Sequence, residues 1–367
     1  MLSDPGLYVH LPWCVRKCPY CDFNSHPLKP TTDFAAYARA LMTEWRYRKA
    51  GFSQTPVFAS VFFGGGTPSL FMPEHFANLL HELPVAIDAE VTMEANPGTT
   101  EHAVFADYRA AGINRLSLGA QSFNDAHLHR LGRIHSADEI EAAYVSARNA
   151  GFTNINLDLM WGLPGQTPDQ ALADLERALD LAPDHLSWYQ LTLEPKTEFG
   201  ARPPILPQEE SLAKIESEGL ARLADAGFER YEVSAYTRSK PCQHNLNYWQ
   251  FGDYVGLGAG AHGKETLTLP QRTQNAHQPR VYLDNPNGGS RRVVENSELP
   301  FEFMLNVLRL RKGVSFDRFA ERTGMPWDTF ETVWGKLSDR DLVRSDRIAT
   351  TDFGYRYLDS VVAEFLR

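Results

Sequence analysis

Between about residues 7 and 191 the chain alternates short apolar, β-rich runs with longer stretches whose apolar residues recur every three or four positions. That alternation is the mark of parallel strands joined by crossover helices. It predicts strands at 7–11, 57–63, 89–94, 115–118, 154–160 and 185–191, with helices near 33–48, 73–81, 101–111, 137–150 and 168–181. Gly112 and Gly151 each close a helical pattern just ahead of a strand, where glycine tolerates the left-handed backbone of a helix C-terminus. Ser136-Ala137-Asp138 and Thr167-Pro168-Asp169 open two of the helices with capping side chains or proline. Six such βα units make an α/β fold, a partial (βα)6 TIM-like barrel. Most of the glycine and polar residues fall at strand C-terminal ends, where such a barrel carries its functional loops.

After residue 200 the pattern changes. A helix is expected near 209–226 and a strand near 231–236, followed by a glycine-rich run at 256–262. A polar stretch rich in Asn, Pro and Arg at 272–297 reads as a connection. The segment 298–367 reads as a small helical, winged-helix-like domain with a terminal hairpin near Ile348 and Thr350. The expected organisation is therefore a barrel over 1–200, an extension and connecting segment over 201–297, and the small domain over 298–367. That last segment holds 11 Arg and Lys against 12 Asp and Glu, which disfavours DNA and leaves protein docking or a lid as its expected role.

Composition narrows the function classes. At 367 residues the chain has room for a large barrel and one appendage, and 43% hydrophobic with 22% charged residues is ordinary globular composition. A net charge of −10 argues against nucleic acid and anionic membrane as partners, because such binding neutralises phosphates with Lys and Arg. The first ten residues lack a basic segment followed by an apolar one, and no run approaches the roughly 18 apolar residues of a membrane span. A cytoplasmic protein with no integral membrane segment is expected. Three of the four cysteines lie within eight residues and Cys242 stands alone, which suits metal binding in a reducing compartment better than disulfides.

The chemistry concentrates in Cys14-Val-Arg-Lys-Cys18-Pro-Tyr-Cys21, a C-x3-C-x2-C run directly after the first strand. Thiolates are the usual ligands of a [4Fe–4S] cluster, and three of them leave one iron open to chelate another molecule. A structural zinc ion is the alternative. It wants four ligands, and Cys242 and scattered histidines would have to complete them.

This triad, with Tyr20 before its last cysteine, resembles the radical S-adenosylmethionine superfamily. The resemblance implies that the open iron binds the amino and carboxylate groups of S-adenosylmethionine, and that one electron from the cluster breaks a C–S bond to give methionine and a 5′-deoxyadenosyl radical. Over about residues 7–262 the chain further resembles the anaerobic coproporphyrinogen III oxidase family. On that resemblance Gly65, Gly66 and Thr67, in the run Gly64–Pro68, meet the methionine amino group. Glu94 meets the ribose or amino group, Gln121 and Arg133 meet the ribose and carboxylate, and Tyr8 and Tyr20 are aromatics beside the cofactor. Asp158 is a charge inside an otherwise apolar run, so it points to the ligand or forms a buried salt bridge. The glycine run read alone would be a turn, and Tyr8 read alone would be core.

The same family holds two functions, a decarboxylating oxidase and a haem chaperone. The oxidase carries a further cysteine two positions after the triad, where this chain has Phe23, and a long N-terminal arm, whereas here the first cysteine is residue 14. His244-Asn-Leu-Asn-Tyr248-Trp249 matches the HNxxYW motif of the chaperone branch. An imidazole can ligate haem iron and aromatic rings can line the macrocycle, so His244, Tyr248 and Trp249 are the expected haem contacts, with Cys242 as a second ligand option. The expectation is a haem chaperone, with no catalytic residue assigned, whose cluster and S-adenosylmethionine play a regulatory or structural part. The resemblance also implies haem-acceptor proteins, respiratory ones among them, and a homodimer. The alternatives are the oxidase, a radical enzyme acting on another substrate, and a zinc-stabilised adaptor.

Overall fold

A computed structural model describes residues 5–98 and 104–366. Each of the six expected strands forms: β1 Gly6–Leu11, β2 Phe58–Gly65, β3 Val85–Ala95, β4 Arg115–Gln121, β5 Ile155–Trp161 and β6 His185–Gln190. They pair in chain order, all parallel, and their apolar side chains form the main core with the crossover helices. Strand β3 starts four residues earlier than its pattern suggests, because its first residues include the exposed Ile87 and Asp88 and so lack a buried-strand signature.

Four shorter strands extend one side of the sheet: β9 Tyr254–Leu257, β10 His262–Thr266, β11 Pro270–Gln274 and β12 Ser290–Val293. At the other end lie β7 Glu229–Arg230 and β8 Ala235–Thr237. The 12-stranded sheet runs β12-β11-β10-β9-β1-β2-β3-β4-β5-β6-β8-β7 and does not close, so the barrel is partial. Strand β9 runs parallel to β1, while β10 to β12 continue as an antiparallel meander.

Several details correct the sequence reading. The stretch 272–297 is not a plain connection: it contributes the end of β11, a helix at Pro279–Asp284 and strand β12, whose four residues are all exposed and so carry no hydrophobic alternation. The strand expected at 231–236 is broken at 231–234, where Glu232 Oε1 accepts from the Ser234 amide at 3.0 Å. A helix not anticipated, Asp125–Arg130, follows β4 and is capped by Asn124. Of the helix expected at 101–111, Phe105–Ala110 forms and 101–103 lie outside the described residues. The caps at Ser136 and Thr167 are full capping boxes.

A second core gathers Phe251, Val294 and residues from Leu299 to Phe365 around helices Leu299–Val307, Asp317–Thr323 and Asp328–Asp339. The expected terminal hairpin is reduced to the isolated bridges Val343–Thr350 and Val314–Ile348. No helix among the described residues is long and apolar enough to cross a membrane.

Candidate cofactor site

The C-terminal ends of β1 to β6 surround a cavity of about 470 Å³. It is lined by Cys14, Cys18, Cys21, Tyr20, Gly65, Gly66, Thr67, Glu94, Gln121, Arg133 and Asp158, so the fold gathers residues spread over 145 positions of sequence around one space. Tyr8 is the exception among the expected cofactor contacts. Its ring stacks on Phe62 and its hydroxyl donates to His10 Nδ1 at 2.9 Å, on the wall of an adjoining cavity.

The cysteine loop folds back on itself. Trp13–Cys14 pairs with residues 26–27, the Cys21 amide donates to Cys18 O at 3.1 Å, and Lys17 Nζ donates to Phe23 O and Ser25 O at 3.0 and 3.2 Å. Backbone bonds pin the loop's root to the glycine run, Gly66 N to Leu11 O at 2.9 Å and Thr67 N to Trp13 O at 2.8 Å. All three cysteines are half-buried and free. Burial pushes the Cys14 thiol up to about 11 and raises that of Cys21. Thiols of this kind lose their protons when a cationic metal takes their place. Among the described residues no group of three His, Cys, Asp or Glu is arranged to chelate a single ion. A cluster makes a different demand, since each thiolate meets its own iron and the ligands stand farther apart than around one zinc.

Beside the loop, Arg133 is half-buried and donates to Asn96 Oδ1 at 2.5 Å, Gly119 O at 2.9 Å and, more weakly, Cys18 Sγ at 3.7 Å. Asn96 in turn donates to Thr67 Oγ1 at 2.9 Å. Gln121 holds a left-handed backbone, φ 69°, and its Oε1 accepts from the Tyr189 hydroxyl at 2.9 Å. Strain of this kind in a non-glycine residue is tolerated where the surroundings over-determine it, often at ligand sites. Asp158 accepts from Ser117 and Asn156 at 3.0 and 2.7 Å rather than from a buried cation, which removes the salt-bridge alternative. Glu94, Asp158 and the Arg133 guanidinium thus face the same space, with Arg16, Asp22 and Glu194 also on its lining. That donor set suits a ligand carrying both an amino and a carboxylate group together with hydroxyls.

Glu94 accepts from the Gly65 amide at 3.0 Å, yet burial and the neighbouring Asp158 carboxylate push its pKa from 4.5 to about 8. The folded chain therefore keeps a proton that the unfolded chain has lost between those values. Stability then falls as pH rises through the window from about 4.5 to about 8. Thermal melts of the apoprotein should show this decline, and Glu94→Gln should flatten it by on the order of 1–3 kcal/mol across the window. Parallel curves for the two proteins would contradict the assignment.

The HNxxYW segment occupies helix Gln243–Trp249. The rings of His244 and Tyr248 lie 4.6 Å apart and those of Tyr248 and Trp249 6.4 Å apart, but the three residues have different surroundings. His244 is 1% exposed at the closed end of the barrel, with its ring stacked on Phe62 and Nδ1 at 3.0 Å from Ser60 Oγ. Cys242 Sγ and the His244 amide both donate to Glu90 Oε1, at 3.1 and 3.3 Å, so Cys242 is equally enclosed. Burial, with Arg115 nearby, lowers the His244 pKa to about 3. Trp249 packs on the second core, with the Arg309 guanidinium 4.3 Å from its ring centre. Only Tyr248 of the three lines the adjoining cavity. The helix joins the two cores and sets Tyr248 on the wall of the adjoining cavity.

Sequence reasoning missed Asn96, Ser117, Ser187 and Tyr189 as lining residues. Strand alternation carried a signal for two of them. Asn96 follows Glu94 by two positions and Tyr189 follows Ser187 by two, so each pair falls on one face.

A family model described as Radical SAM superfamily matches residues 8–178, and one described as HemN C-terminal domain matches residues 294–344. Heme chaperone HemW of Escherichia coli (strain K12) is 44% identical, over 100% of this chain and 99% of its own length. Heme chaperone HemW of Haemophilus influenzae is 42% identical, over 100% and 98%. The solved structure of coproporphyrinogen III oxidase (HemN) from Escherichia coli, titled a radical SAM enzyme, superposes with a TM-score of 0.82 at 24% identity. It covers 99% of this chain and 90% of that one, and shows a shared fold. Partial barrel and cysteine loop together define the radical SAM class of protein. More narrowly, the chain belongs to the HemW family.

Proposed function

We propose that this protein binds haem and transfers it to acceptor proteins, holding a [4Fe–4S] cluster on Cys14, Cys18 and Cys21 with S-adenosylmethionine beside it. The observation that carries the reading is full-length identity of 42–44% to proteins named heme chaperone. Phe23 supports it. This apolar side chain is 61% exposed and sits on the lip shared by the two cavities, at the position where the oxidase has a further cysteine.

When bound, the cluster and S-adenosylmethionine supply one-electron chemistry at a C–S bond. The chain's own residues bind and orient. Arg133 offers a planar fork to a carboxylate, and Glu94 and Asp158 accept from amino and hydroxyl groups. Gly65 and Gly66 let backbone come close, and a Cβ at Gly65 would stand 2.2 Å from the His10 ring. The proposed setting is the cytoplasm, with a homodimer formed on cluster binding and respiratory proteins among the haem acceptors. The free cysteines support a reducing compartment.

The test is made anaerobically on cluster-reconstituted protein, titrated with haem and, separately, incubated with coproporphyrinogen III, S-adenosylmethionine and a reductant. A saturable Soret shift without decarboxylated product is expected. Turnover to protoporphyrinogen would sink the chaperone reading in favour of the oxidase.

A further inference from the structure

Polar side chains run in a row across the interior of the barrel. The parallel registers set Ser117 of β4 opposite Asn156 of β5, and Asn156 opposite His185 of β6. Asp158, two residues beyond Asn156, falls on the same face and reaches the cofactor cavity. Asn156 and His185 are each 1% exposed, and Tyr231, where the expected strand is broken, is 6% exposed. Polar groups so enclosed are costly unless each is paired, so the partners they choose are informative.

Those partners form one continuous chain from the cofactor cavity to the HNxxYW helix. Asn156 Nδ2 donates to Asp158 Oδ1 and to Ser117 Oγ, both at 2.7 Å. Its two amide hydrogens are then spent, and its Oδ1 accepts from His185 Nδ1 at 2.6 Å. Burial, with Arg115 nearby, holds the His185 pKa well below its ordinary value, so the ring is neutral and carries one proton. With that proton on Nδ1, Nε2 can only accept, and the Tyr231 hydroxyl donates to it at 2.8 Å. The Tyr231 oxygen accepts in turn from Asn245 Nδ2 at 3.3 Å. Every hydrogen along the chain thus points from the helix towards Asp158. Ser117, held by Asn156, adds a second donor to the same carboxyl at 3.0 Å. Bonds that run one way polarise one another, and donors at the end of such a chain oppose the rise in the Asp158 pKa that burial causes.

We propose that Asn156, His185, Tyr231 and Asn245 are positioning residues for the cofactor site, their one-way chain keeping Asp158 an acceptor for the hydroxyl or amino hydrogens of the bound ligand. The proposal rests on the reading of Asp158 as a contact of S-adenosylmethionine and adds the residues that act through it. Asn245 belongs to the HNxxYW helix, so the motif serves the cofactor site as well as joining the two cores. A shift of that helix changes how tightly the cofactor is held, and binding of the cofactor bears equally on the helix.

The experiment measures S-adenosylmethionine binding by anaerobic calorimetry on the full-length, cluster-reconstituted protein, with circular dichroism melts as the check on folding. Tyr231→Phe removes the hydroxyl alone. Asn245→Asp puts an acceptor in place of the donor, on a half-buried residue, and so turns the Tyr231 hydroxyl away from His185. Each should bind about fivefold more weakly, the worth of one hydrogen bond, and Asp158→Asn should lose at least as much. In the Asp158→Asn background either substitution should add little, whereas general loosening of the barrel would add in full. Two separate cycles keep the test open should Tyr231→Phe fold poorly. In 15N NMR of histidine-labelled wild type, His185 should carry its proton on Nδ1. Full additivity, wild-type affinity in both Tyr231→Phe and Asn245→Asp, or a His185 proton on Nε2 would overturn the chain while leaving Asp158 as a cofactor contact. Wild-type affinity in Asp158→Asn would overturn that contact, and the chain's role with it.

Discussion

Cys18→Ser protein, reconstituted anaerobically with iron and sulfide, will emerge colourless. Wild type should hold about four irons and four sulfides per chain, and the variant should fall to background in both, as should Cys14→Ser and Cys21→Ser. Seryl oxygen is a poor substitute for a soft thiolate, and with only three ligands in the loop none is spare. The fold should be nearly indifferent. The three side chains are half-buried in a loop outside the main core, where substitutions usually change stability by less than about 0.5 kcal/mol. Iron and sulfide analysis beside a thermal melt makes the distinction. A fully coloured Cys18→Ser protein would show that the cluster is held elsewhere.

Gly66→Ala should do the opposite, damaging fold and cluster together. A Cβ there would lie 2.6 Å from Trp13 O and 2.7 Å from both Leu11 O and Trp13 N. All three are backbone atoms of the segment that leads into Cys14, and none can rotate away as a side chain can. Relief requires parting the bonds from Gly66 and Thr67 to Leu11 and Trp13, at a cost of about 3 kcal/mol. Lower cluster occupancy should accompany a lower melting temperature. Gly151→Ala is the control: a Cβ there meets nothing within 4 Å, although φ is 88°, so only backbone strain of about 1 kcal/mol is expected. Gly66 has no left-handed φ of its own, so an effect no larger than that at Gly151 would show that the close approach is relieved without cost.

The contrast shows which parts of the molecule could be read from sequence. Strands β1, β2, β4 and β5 are buried on both faces, so they write themselves as apolar runs, and the cysteine triad and Gly64–Pro68 follow two of them directly. Strand β12, exposed at every residue, writes nothing. Spacing within HNxxYW puts His244 and Tyr248 four residues apart on one face of a short helix, and their rings do meet, 4.6 Å between centroids. What spacing could not supply is the neighbour of that face. Docking of the helix against Glu90 and Ser60 turns His244 into the barrel floor.

Asn24 gives this arrangement a place in time. Three residues beyond the last cysteine of the triad, its side-chain amide donates to Ala259 O at 3.0 Å and His277 O at 2.9 Å, spanning 235 and 253 positions of sequence. Strand β1 likewise receives its second neighbour only with Tyr254–Leu257. On the ribosome, the cysteines are made among the first residues and their loop is pinned to the glycine run within the first 67, but the last Asn24 contact cannot exist until 277 have been joined. At roughly 5–20 residues per second, that is an interval of some tens of seconds. The completed loop is thus a late product of synthesis, its last brace arriving with the β9–β11 meander.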